Sequence, residues 1–183
     1  WCKKNMSNLR LIKQTATSSG ITSVSLTDVF SSDFDIYKVT VARTTYDVTN
    51  TDVIALKMRF INESGTIISA SNYDSATMMM KAEATKDEDK FQNGTYSYSG
   101  GIIGNYENGG GSHWIFNPYN NDRYTFASFE GAGGYDSSSN KMRSLKGFGC
   151  LKQTTRISGI NFYSSNTSNT FSAYINVYGL RVD

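Results

Sequence analysis

The chain has 183 residues, of which 38% are hydrophobic, and a formal net charge of +2. That length supports a single domain with a real core, and the near-neutral charge argues against a nucleic-acid binder, which needs a basic face. No apolar run reaches the roughly 18 residues of a membrane-spanning helix, and two cysteines, Cys2 and Cys150, do not make a disulfide framework.

Residues 1–5 (WCKKN) differ in character from the rest of the chain, and Met6 makes a natural start. They read as an N-terminal extension to a single domain over 6–183. Leu9 to Thr17 is the first strand expected, and Ser18-Ser19-Gly20 the first turn. Ile21 to Phe30 comes next, with Val24 and Leu26 alternating. Ile36 to Arg43 is among the clearest strands: Tyr37, Val39 and Val41 share one face, and Lys38 and Thr40 the other. Val53 to Ile61 repeats the pattern with Ile54, Leu56, Met58 and Phe60. Asn62-Glu63-Ser64-Gly65 then reads as a hairpin turn, with Thr66 to Ala70 as the returning strand.

Ser75 to Glu83 fits a strand or one helical turn. Its consecutive Met78, Met79 and Met80 read as core filler or as an adaptable apolar patch. Lys86 to Lys90 (KDEDK) mixes both signs of charge and reads as a solvated loop. Phe91 to Gly111 holds a short strand or two and ends in a Gly-rich turn without the Lys-Ser/Thr of a phosphate-binding loop. Ser112 to Asn117 is a strand that Pro118 ends, with Trp114 expected in the core. Arg123 to Glu130 is another. Gly131 to Asn140 reads as a long exposed loop. Lys141 to Lys152 is a strand in which Gly147 and Gly149 mark a bulge or a close backbone approach. Ile157 to Phe162 and Phe171 to Val177 close the chain as two strands joined by a polar turn.

This pattern, with no convincing helix, predicts an all-β fold: a single-domain antiparallel β-sandwich, jelly-roll-like.

No catalytic signature stands out. His113 is the only histidine, no nucleophile elbow accompanies it, and the cysteines do not cluster, so neither a catalytic triad nor a zinc site is expected. Carboxylates pair at Asp33/Asp35, Asp47/Asp52, Asp87/Glu88/Asp89 and Glu130/Asp136. Most of these lie in polar turns, where acids cap and solvate. No cofactor and no metal are expected. Aromatic rings beside amides suit sugars, because a ring stacks on the apolar face of a pyranose while amides take its hydroxyls. The carbohydrate-binding candidates are Tyr106, Tyr119, Asn120, Asn121, Asp122, Tyr124 and Tyr135.

From Met6 onward the chain resembles the short β-rich virion proteins of tailed, especially marine, bacteriophages. The resemblance lies in SNLRLIKQTATSSGITSVSLTDVFSSDFDIYKV from Ser7, in WIFNPYNNDRYTF from Trp114 and in SGINFYSSNTSNTFSAYINVYGLRV from Ser158. It implies a non-enzymatic protein of the virion surface. In one form that is a small tail-fibre-like adhesin presenting loops to host-surface glycans. In the other it is a capsid decoration or cement protein that stabilises the phage head. A glycan hydrolase stands a distant third. The implied partners are other virion proteins, tail or capsid subunits, a host-surface glycan and further copies of the chain, as in a trimer. Neither nucleic acid nor membrane is among them.

Overall fold

The structure is a computed structural model, and it describes residues 8–18, 20–46, 54–82, 86–103, 109–136, 141–165 and 170–181. The extension over 1–5 and Cys2 lie outside the described residues.

Among the described residues there are twelve strands: β1 (Leu9–Ala16), β2 (Ser23–Leu26), β3 (Ile36–Tyr46), β4 (Ile54–Asn62), β5 (Tyr73–Lys81), β6 (Lys86–Gly94), β7 (Ser97–Ile103), β8 (Gly109–Phe116), β9 (Thr125–Asp136), β10 (Lys141–Leu151), β11 (Ile157–Ser164) and β12 (Phe171–Leu180). They form an eight-stranded sheet in the order β1-β12-β3-β8-β9-β10-β5-β6 and a four-stranded sheet in the order β2-β11-β4-β7. Every pairing is antiparallel. The fold is an all-β antiparallel sandwich of the jelly-roll type, as the strand pattern predicts.

Alternation fixes which side of each strand is buried. Tyr37, Val39 and Val41 of β3 and Phe171, Ala173, Ile175 and Val177 of β12 point inward from the large sheet. They meet Leu56, Met58 and Phe60 of β4 and Ile160 and Phe162 of β11. Burying an aliphatic or aromatic side chain of this size stabilises by about 1.5–3 kcal/mol. Tyr73 is buried with its hydroxyl engaged: it donates to the Ile68 carbonyl at 3.0 Å and accepts the Phe60 N–H at 3.0 Å. Burial raises its pKa, so the phenol stays neutral.

Several expectations are corrected. Lys86 to Lys90 is part of strand β6, at one edge of the large sheet. An edge strand dense in charge resists pairing with another chain, so the residues that look like a loop protect an edge. Gly131 to Asp136 continues β9, and 137–140 lie outside the described residues. Thr66 to Ala70 is no full strand. Gly65 closes the turn at φ 80°, and the return is limited to the Ile61–Ile67 bridge and the Ile68 N–H donating to the Phe60 carbonyl. The closing strands do not pair with each other: β11 lies in the small sheet and β12 in the large one. Of the three consecutive methionines, Met78 and Met80 face solvent. Cys150, by contrast, is the buried free thiol expected of it.

At one place the two sheets touch backbone to backbone. A Cβ built on Gly131 would lie 1.6 Å from the Gly100 carbonyl oxygen, and one on Gly111 would lie 2.2 Å from it. No other residue type fits these positions of β8 and β9, so β7 closes directly onto the large sheet there. His113 sits beside this contact with no exposed surface. Its Nδ1 donates to the Val39 carbonyl at 3.3 Å, while Nε2 accepts the Gly100 N–H at 3.0 Å and the Ser99 hydroxyl at 2.9 Å. Burial pushes its pKa down to about 4. The histidine pins β7 to β3 and β8 as a neutral ring.

Candidate functional site

The residues singled out in the sequence do not converge. Tyr106 lies outside the described residues. Tyr135 belongs to β9, where its backbone pairs with Met142, and its side chain lies outside the described residues. Tyr119 donates its hydroxyl to Glu63 Oε1 at 2.8 Å, and the Arg156 guanidinium stands 5.6 Å from its ring. That hydrogen bond is the first cause of its raised pKa. Asn120 Oδ1 accepts the Asp122 N–H at 2.9 Å, which shapes the turn. Asn121 and Asp122 are exposed on that turn. Tyr124 borders a cavity at the end of the sandwich. Of the carboxylate pairs, Asp47 and Asp52 lie outside the described residues. Among the described residues no group of His, Cys, Asp and Glu is arranged to hold a metal ion.

The richest surface is the outer face of the eight-stranded sheet, formed by the residues that alternate with the core. The strand registers align them in rows across the strands. One row runs Tyr178 (β12), Lys38 (β3), Trp114 (β8), Ser128 (β9), Phe148 (β10), Ala76 (β5) and Lys90 (β6). At about 4.8 Å between strands it spans about 29 Å. The Lys38 ammonium lies 5.3 Å from the centre of the Trp114 ring, a cation–π contact that fixes the charge over the face. Trp114 is therefore not a core residue. Alternation sends its neighbours His113 and Ile115 inward and its own ring outward.

A second row runs Asn176, Thr40, Ser112, Glu130, Lys146, Met78 and Glu88. Asn176 Nδ2 donates to Thr40 Oγ1 at 3.4 Å, and the Ser112 hydroxyl to Glu130 Oε1 at 3.5 Å. Beside this row Gly110, Ser112, Glu130, Ala132 and Ser144 line a depression of about 430 Å³. Small side chains leave its floor bare. Beneath it the contact of Gly100 with Gly111 and Gly131 leaves no soft layer to yield. Large apolar side chains also stand in solvent on strands of this sheet: Phe148 is 54% exposed, Phe126 48% and Tyr174 41%.

Sequence reasoning missed this face. Its residues come from seven strands, and only the strand order brings them into rows. The available signal was the polar half of each alternating strand, Lys38 and Thr40 opposite Tyr37 and Val39, or Tyr178 opposite Val177.

No protein-family model matches the chain, and no curated protein matches it. Among solved structures the chain is similar to alginate lyase Aly36B, at 11% identity and a TM-score of 0.41 over 97% of this chain and 98% of that one. It is similar to the marine PL-14 alginate lyase from Aplysia kurodai, at 10% identity and a TM-score of 0.35 over 84% of this chain and 72% of that one. A third is alginate lyase A1-II', of polysaccharide lyase family-7, at 9% identity and a TM-score of 0.28 over 82% of this chain and 64% of that one. The expectations of a tail-fibre-like adhesin, a capsid decoration protein or a hydrolase, and of a chain without enzymatic activity, are corrected by this finding: these similar structures are lyases.

Proposed function

We propose that the chain binds an acidic polysaccharide across the outer face of its eight-stranded sheet and cleaves it by β-elimination. The observation that carries this reading is the Tyr178-to-Lys90 row. It holds aromatic rings and lysines and no carboxylate. Trp114 and Phe148 offer apolar faces on which pyranose rings stack. Lys38 and Lys90 offer positive charge to the carboxylates of a uronate chain, and the row is long enough for several sugar units. The adjoining hydroxyls and amide of Thr40, Ser112 and Asn176 suit sugar hydroxyls.

Elimination removes the proton on the carbon next to the carboxylate and breaks the bond to the leaving oxygen. The electron pair of the C–H bond becomes the new C=C bond, and the leaving oxygen gains a proton. Two kinds of group are needed: a cation that stabilises the charge spreading into the carboxylate, and a group that moves a proton. Lys38 and Tyr178 are cross-strand partners on the same face and supply one of each.

The test is to incubate the chain with alginate and other polyuronates and monitor the ultraviolet absorbance of the unsaturated sugar end. Cleavage is expected, with Lys38→Ala and Tyr178→Phe each lowering kcat/KM by about 100-fold or more. Absence of both cleavage and binding across the polyuronates would overturn the reading.

A further inference from the structure

We infer that a hollow at one end of the sandwich is a second ligand site, suited to a neutral sugar unit. It lies apart from the acidic-polysaccharide face and does not depend on the reading given to that face. Its volume is about 610 Å³, within the range of about 300–1,000 Å³ typical of small-molecule sites. Tyr124, 44% exposed, stands at its border, and the buried side chain of Ile68 contributes an apolar surface.

The remaining wall is the segment between β10 and β11. This segment is held at both ends. The Lys152 N–H donates to the Asn72 carbonyl at 2.9 Å, the Arg156 carbonyl accepts the Glu63 N–H at 3.2 Å, and the Ile157 N–H donates to the Pro118 carbonyl at 2.8 Å. The hollow is thus shaped before any ligand arrives, which spares a ligand the cost of ordering it.

Gln153, Thr154 and Thr155 line the hollow, and none of their side chains hydrogen-bonds to another described residue. Each offers both a donor and an acceptor. Asn62 turns its Oδ1 to the Thr66 N–H at 2.8 Å and the Ser64 hydroxyl at 2.8 Å, and leaves its amide donors unspent. A ring beside several uncommitted hydroxyls and amides matches a pyranose, which has an apolar face and a rim of hydroxyls. The ligand is neutral because the one cation lining the hollow among the described residues is already compensated: Lys152 Nζ is 2.8 Å from Asp74 and 2.7 Å from Asn93 Oδ1.

The test is an amide chemical-shift titration of the full chain with cello-, manno-, xylo- and galacto-oligosaccharides, and with an oligouronate for comparison. At least one neutral oligosaccharide is expected to give saturable shifts at Tyr124 and Gln153 to Thr155. Tyr124→Ala should weaken that binding roughly tenfold, while Trp114→Ala leaves it unchanged. Gln153→Ala should weaken it as well. The inference is overturned if no neutral oligosaccharide moves these amides, or if the shifts survive Tyr124→Ala and Gln153→Ala. Neither result bears on cleavage of polyuronates, so the two readings fail separately.

Discussion

The two faces of the eight-stranded sheet are made by the same strands and do opposite work. His113 and Trp114 are neighbours in β8, yet the polar ring is fully buried and the larger apolar one faces outward. The buried histidine has every nitrogen engaged and holds three strands together. The tryptophan has a lysine over its ring and solvent beyond. Residue type alone would assign the roles the other way round. On this sheet the chemistry-bearing side chain belongs to structure, and the hydrophobic one to the candidate binding surface.

Substitutions on the two faces should therefore differ in what they damage. The largest effect is expected inside. Gly131→Ala places a methyl group on the Gly100 carbonyl, and the backbone on both sides must move. A loss of about 3 kcal/mol or more is expected in denaturant unfolding.

His113 comes next. Its pKa is about 4 in the folded chain against an ordinary 6.5. The unfolded chain binds the proton more readily, so the folded state is favoured fully above pH 6.5 and loses that advantage as pH falls toward 4. The shift corresponds to about 3 kcal/mol. Unfolding free energy measured across this window should fall with pH, and His113→Gln, whatever its own cost, should flatten the fall.

Outside, Lys38→Ala and Tyr178→Phe should leave unfolding within about 0.5 kcal/mol of the parent and abolish most turnover. Trp114→Ala should weaken polyuronate binding roughly tenfold through lost stacking and lost fixation of Lys38, again with little change in stability. A stability loss at Lys38 or Tyr178 as large as that at Gly131 would erase the contrast between the faces.

Much of the fold could be read from period-two patterns. Tyr37, Val39 and Val41, then Leu56, Met58 and Phe60, then Phe171 to Val177 all face the core as their spacing predicts. What escaped has physical reasons. The charges of Lys86 to Lys90 protect a sheet edge, and edge protection looks like a loop in composition. Gly131 and Gly133 read as loop residues, whereas the strand needs glycine at 131 for the close approach of β7. The candidate face was hidden more deeply. Tyr178 and Lys38 are far apart in the chain, and only the β12–β3 pairing makes them neighbours. The tyrosines and amides chosen from sequence were those grouped locally, and local grouping at Tyr119 to Asp122 builds a turn.

The central claim is that the outer face of the large sheet is where an acidic polysaccharide lies. Its most direct test is a chemical-shift map of the whole chain with an oligouronate. The account predicts shifts along Tyr178, Lys38, the Trp114 indole, Ser128 and Phe148, with the backbone shifts needing roughly tenfold more ligand in Trp114→Ala. Shifts confined to the outer face of the four-stranded sheet, where Arg59 of β4 lies 4.4 Å from the ring of Tyr163 of β11, would contradict it.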